Sequence, residues 1–409
     1  MATTPVRHIT FDDEYFAAPA DFMHRLAATG PIHRFSAPQG LNGWMITSHE
    51  LAKQVFVDSR VIKTPETNNG SYLLDTTGLT RRQRFNRWAN SHIITHMLGA
   101  DGPEHARLRR VVAEPFSPRG VASRASRITE ITDQLLDRMD PTGPIELSSA
   151  FAVPLPVQIA AEITGVPARH ADTISRCSAE LGDYMLSSLP ELRDGVVGFA
   201  TMIVPNLLRR RIAPRDDVLS ALAAAQRRGE MSFKEATSTA ALILLAGHEA
   251  VTPLILNTVY ALLTNPDEMM CAKADPKALD AIIDETLRVY TPQPVAALRV
   301  AAEQITLAGQ EIRAGEWIWI SLLAAHYDLA ANTCPFAFDS TRKPRRSLPF
   351  GYGAHTCLGA PLARTVTRIG VSRLLARYPD IALATDPDEL PWRRGIFFRR
   401  MTEMPVTLG

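Results

Sequence analysis

At 409 residues, with 46% hydrophobic and 21% charged side chains, the chain has far more apolar material than a disordered polypeptide and enough for a large packed core. Its 44 Lys and Arg against 43 Asp and Glu leave a net charge of +1, which excludes the global positive field that nucleic acid or an anionic membrane would require. No Gly/Ser-rich or charged linker interrupts the sequence, so a single domain over 1–409 is expected.

The first ten residues hold no apolar run of signal length, and the longest aliphatic stretch, 240–246, falls far short of the roughly 20 residues a membrane helix needs. These features predict a soluble, cytoplasmic protein, with a monomer as the default. In chain order, short strands are expected at 31–35 and 43–46, joined by a Gly-bearing turn and followed by a helix at about 49–57. The pattern then stays mostly helical to residue 290, with three- and four-residue apolar spacing at 124–139, 174–185 and 198–211. Pro-, Gly- and Asp-rich pieces at 140–144 and 214–217 punctuate it.

Ser232 and Glu235 form an S-x-x-E capping box ahead of an apolar run reaching about Leu263. One helix of that length spans roughly 45 Å at about 1.5 Å per residue and, being apolar through its middle, must be buried. Strands are expected at 295–300, 304–307 and 317–321, with turns at Ala308-Gly309 and Ala314-Gly315. A last helix over 360–378 leads into a β-rich end at 380–409. The fold class read from this order is mainly α with a smaller β component (α+β).

Four cysteines, Cys177, Cys271, Cys334 and Cys357, lie too far apart for a zinc site or a redox dithiol. Only Cys357 has chemically informative company, in the run Phe350-Gly351-Tyr352-Gly353-Ala354-His355-Thr356-Cys357-Leu358-Gly359. Glycines at 351, 353 and 359 permit close backbone approach. A cysteine at a helix N-terminus meets exposed N–H groups and the positive dipole end, which favour the metal-ligating thiolate.

This loop resembles the haem-ligand loop of the cytochrome P-450 family, F-G-x-G-x-H-x-C-x-G, at every position. The resemblance implies the fold of that family, with haem (heme b, iron protoporphyrin IX) between the long central helix and the cysteine-bearing helix. It makes Cys357 the iron ligand, whose electron donation favours O–O cleavage. Glu285 and Arg288, at i,i+3 on one helical face, match the family's E-x-x-R, with Arg342 completing a structural triad. His105 and Arg109 on one helical face, Arg299 and His355 match its propionate donors; Phe350 and Gly359 complete the cofactor-binding set.

In the central helix, Ala246-Gly247-His248-Glu249-Ala250-Val251-Thr252 resembles the oxygen-activating segment. There Gly247 would open the helix over the iron and Glu249 would relay protons. Ala250 stands where that segment carries an alcohol. Thr252, two residues on, is rotated by about 200° and should face away, while Pro253 should kink the helix and free the Glu249 carbonyl. Protons are then expected to pass through Glu249, water and a hydroxyl of the substrate; an alternative is that Ala250 only makes room for a bulky substrate.

By analogy the pocket is walled by the 80–98 loop, the helices around 181–204, and Leu242, Ala246, Ala250, Val295, Ala296, Ala297, Ile396 and Phe397. Arg81, Arg82, Arg84 and Trp88 stand as further ligand contacts or as a solvated loop. Lys343, Arg345 and Arg346, with Arg107 and Arg110, form a candidate basic surface for an acidic ferredoxin or flavodoxin-type electron donor. The resemblance implies a monooxygenase that hydroxylates or epoxidises a small organic substrate of secondary metabolism. Oxidative C–C, C–N or C–O coupling without oxygen insertion, and a haem-based binding or gas-sensing protein, are the alternatives.

Overall fold

In the computed structural model, which describes residues 6–63, 95–182, 186–343 and 347–409, the chain is about 56% helical. Eleven strands are described: β1 (His8–Thr10), β2 (Ile32–Ala37), β3 (Leu41–Ile46), β4 (Val61–Ile62), β5 (Ile145–Glu146), β6 (Arg299–Ala301), β7 (Ile305–Leu307), β8 (Gln310–Ile312), β9 (Trp317–Ile320), β10 (Ala382–Leu383) and β11 (Pro405–Thr407). Six of them make one sheet in the order β1-β2-β3-β9-β6-β4; β10-β11-β5 and β7-β8 form two smaller ones.

Period-two alternation decides how the large sheet is buried. Trp44, Ile46, Ile318 and Ile320 pack on one face with Val55 and Phe56 of the helix His49–Val57, while Met45 and Trp319 pack on the other with Phe35, Val295 and Phe397. Both faces are therefore apolar. The helices build a separate core around Phe151, Leu155, Phe199, Leu244, Leu256, Leu287 and Leu374.

The capping box forms as read: Glu235 N–H donates to Ser232 Oγ at 3.1 Å and Ser232 N–H to Glu235 Oε2 at 2.6 Å. The helix it starts is not continuous. It runs Phe233–Glu249, breaks at Ala250, and resumes as Val251–Thr264. Pro253 explains the break, because it offers no N–H to the Glu249 carbonyl. The stretch 233–264 is the one helical span among the described residues long and apolar enough to cross a membrane, yet 72% of its window is buried inside the protein.

The helix expected at 198–211 is longer, Leu189–Ile212, because Ser188 and Glu191 supply a second capping box. That at 174–185 is found as Ala171–Gly182, and residues 183–185 lie outside the described part. The strand expected at 295–300 shrinks to Arg299–Ala301, with Val295 making a single bridge to Ser321. Side chains take the carbonyls a ladder would have used: Trp319 Nε1 donates to Ala296 O at 2.7 Å and Lys63 Nζ to Ala297 O at 3.0 Å.

Candidate active site

The loop before the last helix, Ala360–Arg377, is held by Cys357 N–H donating to Phe350 O and Gly351 N–H to Leu348 O, each at 2.8 Å. Gly351 and Gly353 have φ of 71° and 77°, in the left-handed region that side chains avoid. A Cβ on Gly353 would also stand 3.0 Å from Val57 Cγ1. Gly359, at φ −82°, needs no such freedom; it caps the helix, and a Cβ there would sit 3.9 Å from Cys357 Sγ. Phe350 is covered by the Arg364 guanidinium, 4.5 Å from its ring centre.

Cys357 keeps accessible surface although protein surrounds it. Burial pushes its thiol up, against the opposing pull of the Gly359 and Ala360 N–H groups and the charges of Arg109 and Arg364. The helix end thus favours the thiolate but desolvation outweighs it in the protein alone, and coordination to a metal cation, which removes the proton outright, would complete the ionisation.

Cations converge beside this loop. The helix Gly102–Val112 puts His105 and Arg109 one turn apart; the His105 ring lies 4.2 Å from that of His355, and Arg109 Nη2 donates to Thr356 O at 2.8 Å. Arg299 on β6 is 2% exposed, and its Nε and Nη2 have no partner among the described residues. Burial pushes Arg299 down to about 10 and, with the neighbouring charges of His355 and Arg109, pushes His105 down to about 4. Buried donors left unmet call for an anion. A thiol beside these basic groups fits haem: Cys357 would hold the iron, and Arg109, Arg299, His105 and His355 would hold the propionates. Sequence reasoning missed Lys63, 2% exposed and beside Arg299, because nothing in a lone lysine after a short strand signals burial.

The structural triad forms with unequal arms. Arg288 reaches Glu285 with two bonds, of 2.6 and 2.9 Å, and donates to the carbonyls of Pro335 at 2.6 Å and Ala337 at 2.9 Å. Arg342 Nε stands 3.4 Å from Glu285, at the rim.

On the central helix Leu242, Ala246 and Ala250 stand four apart and keep accessible surface, which defines one open face. Ala297 keeps some surface, and Ala296 and Phe397 little. Val295 and Ile396 have none; they sit inside the sheet core against which Ala250 packs. Gly247 meets the helix Pro154–Thr164, where a Cβ would come within 3.2 Å of Ala160 Cβ. Thr252 is fully buried and its hydroxyl has no partner among the described residues.

Glu249 is 1% exposed and neither carboxylate oxygen accepts a hydrogen bond from a described residue. Three basic groups surround it: His248 Nε2 at 3.4 Å, Arg393 Nη1 at 3.8 Å and Arg400 Nη1 at 3.9 Å. Burial would raise its pKa, but His248, Arg400 and Arg393 outweigh that and hold the carboxyl below its ordinary range. The two arginines belong to one hairpin, where Arg393 N–H donates to Arg400 O at 2.9 Å, and no spacing in the sequence linked them to Glu249.

Arg107 does not face solvent as expected. It is bound to Glu104, Glu235 and the carbonyl of Glu230, which ties its helix to the capping box of the central one. Arg110 and Lys343 are exposed; Arg345, Arg346, Arg81, Arg82, Arg84 and Trp88 lie outside the described residues.

The cytochrome P-450 family model matches residues 206–390. Cytochrome P-450 107B1 of Saccharopolyspora erythraea is 34% identical, covering 100% of both chains. The 6-deoxyerythronolide B hydroxylase of the same organism is 33% identical over 90% of this chain and 91% of its own. The solved structure of CxnD, a P-450 for C–S bond formation in chuangxinmycin biosynthesis, superposes with a TM-score of 0.90 at 31% identity, covering 100% of this chain and 98% of its own. With the ligand loop, the E-x-x-R pair and the ring of cations in place, this chain belongs to the cytochrome P-450 family and is a haem-thiolate monooxygenase.

Proposed function

We propose that the enzyme hydroxylates or epoxidises a small, largely apolar natural product, using two electrons from a ferredoxin or flavodoxin-type donor in the cytoplasm. The observation that carries this reading is the accessible apolar face of Leu242, Ala246 and Ala250 on a largely buried helix. The hydroxylase of 6-deoxyerythronolide B among the relatives supports a substrate of macrolide type. Haem supplies the oxygen-activating redox chemistry.

The chain's own residues do the rest. Apolar walls orient the substrate and exclude water. Glu249, ionised within its ring of cations, takes up and passes on protons. Ala250 has no hydroxyl, so the last carrier is a water on the Glu249 carbonyl that Pro253 leaves free, or a hydroxyl of the substrate. Exposed Arg110 and Lys343 supply part of a basic face for an acidic electron donor.

Oxidative coupling is the second reading, favoured by the missing alcohol and by the C–S bond formation ascribed to CxnD. Mass spectrometry of a native small-molecule extract, incubated with the enzyme, ferredoxin, reductase and NADPH, separates the two. A compound gaining one oxygen atom supports the monooxygenase reading. One losing two hydrogens, or dimerising, overturns it in favour of coupling.

A further inference from the structure

Lys63 and Arg299 form an arrangement that a protein interior does not tolerate by itself. In the antiparallel ladder of β4 and β6, Val61 lies opposite Ala301 and Ile62 opposite Val300. Lys63 follows β4 directly and Arg299 opens β6, so the two basic side chains lie near one another at this end of the ladder. Neighbouring like charges repel, and both of these side chains are 2% exposed.

Among the described residues one carboxylate, Asp101, faces the two of them. Lys63 Nζ donates to a neutral carbonyl, Ala297 O, at 3.0 Å. Arg299 Nη1 reaches Val61 O only at 3.5 Å, its Nε and Nη2 meet nothing among the described residues, and its guanidinium lies 5.2 Å over the Phe56 ring. The near carboxylate, Asp101, accepts the Lys63 backbone N–H at 2.7 Å and faces His355 Nε2 at 3.4 Å. Against it stand Lys63, Arg299 and Arg109, so among the described residues the cluster holds more basic than acidic groups in a desolvated place. Burying charge is costly unless a counter-charge arrives.

We propose that Lys63 is a further cofactor-binding residue, forming with Arg299 a two-cation seat for a haem carboxylate. A seat of two cations demands an anion with two acceptor oxygens, and a propionate supplies one. Lys63 thus joins the family's expected donors through tertiary position, just after a strand with no haem signature.

The test is haem transfer from the holoenzyme to excess apomyoglobin, followed optically. Lys63→Met keeps the length and apolar stem and removes the charge; it should release haem roughly tenfold faster or more, the worth of one charge-assisted hydrogen bond. Lys63→Arg should release it close to the wild-type rate. With haem dimethyl ester in place of haem the carboxylates are gone, so wild type and Lys63→Met should differ little. Equal loss of haem and of its diester by Lys63→Met would show a packing role and overturn the proposal. An unchanged rate of haem release would overturn it as well.

Discussion

Replacing Arg393 by Gln removes one of the three basic groups that keep Glu249 ionised. At 3.8 Å a pair of unit charges interacts by about 4 kcal/mol at an effective dielectric near 20. That is an upper limit, because His248 at 3.4 Å and Arg400 at 3.9 Å remain and water takes up part of the loss. A rise in the Glu249 pKa is expected, worth less than that limit. A carboxyl with a higher pKa is protonated at higher pH, so the acid limb of the activity profile should move toward neutrality. The assay is product formed per NADPH consumed, across the mildly acid to neutral range, with haem content measured in parallel. Arg400→Gln should shift the limb similarly, and the double variant further than either. If the double variant holds its haem and keeps the wild-type profile, the ring of cations does not govern proton delivery and the reasoning fails.

Three other perturbations test separate parts of the molecule. Arg288→Ala leaves Glu285 buried with only the Asp339 N–H at 3.1 Å and the longer contact to Arg342, and strips the Pro335 carbonyl of its donor; a loss of about 3–5 kcal/mol in urea unfolding is expected, with Arg288→Lys losing less. Ala250→Thr adds a hydroxyl to the open helix face and should change both product yield and hydrogen peroxide leakage; unchanged values of both would remove the substrate or water from its assigned place as last proton carrier. His326 is fully buried, its Nε2 accepting from Leu348 N–H at 3.2 Å and its Nδ1 lying 3.1 Å from Thr291 Oγ1, and burial pushes it down to about 3. Its contribution is complete above the unfolded value near 6.5 and is lost as pH falls toward 3, at about 1.4 kcal/mol per pH unit. Denaturation midpoints at pH 7 and at about pH 5 should therefore differ by about 2 kcal/mol from this group, and His326→Gln should remove that part.

What could be read from the chain was local in origin. The Ser232–Glu235 capping box, the glycines of the ligand loop and the i,i+3 spacing of Glu285 and Arg288 are set by neighbours within one or two turns, and each reappears in the fold. Even the break at Ala250 follows from Pro253 three residues on. The errors came where local preference met a distant partner. The strand after Pro294 shortens because Trp319 and Lys63 claim its carbonyls, and Arg107 turns inward because Glu235 waits on another helix.

By itself, then, the sequence determined the thiol loop, the start of the central helix and the basic residues expected around haem, since all of these are written in short spacings. The tertiary structure alone decided the electrostatics. It buried Lys63 beside Arg299, drew Arg393 and Arg400 from the C-terminal hairpin to Glu249, and raised the Cys357 thiol against the pull of its own helix. Desolvation and Coulomb interactions sum over whatever lies near in space, and for these side chains the near neighbours come from segments far apart in the chain.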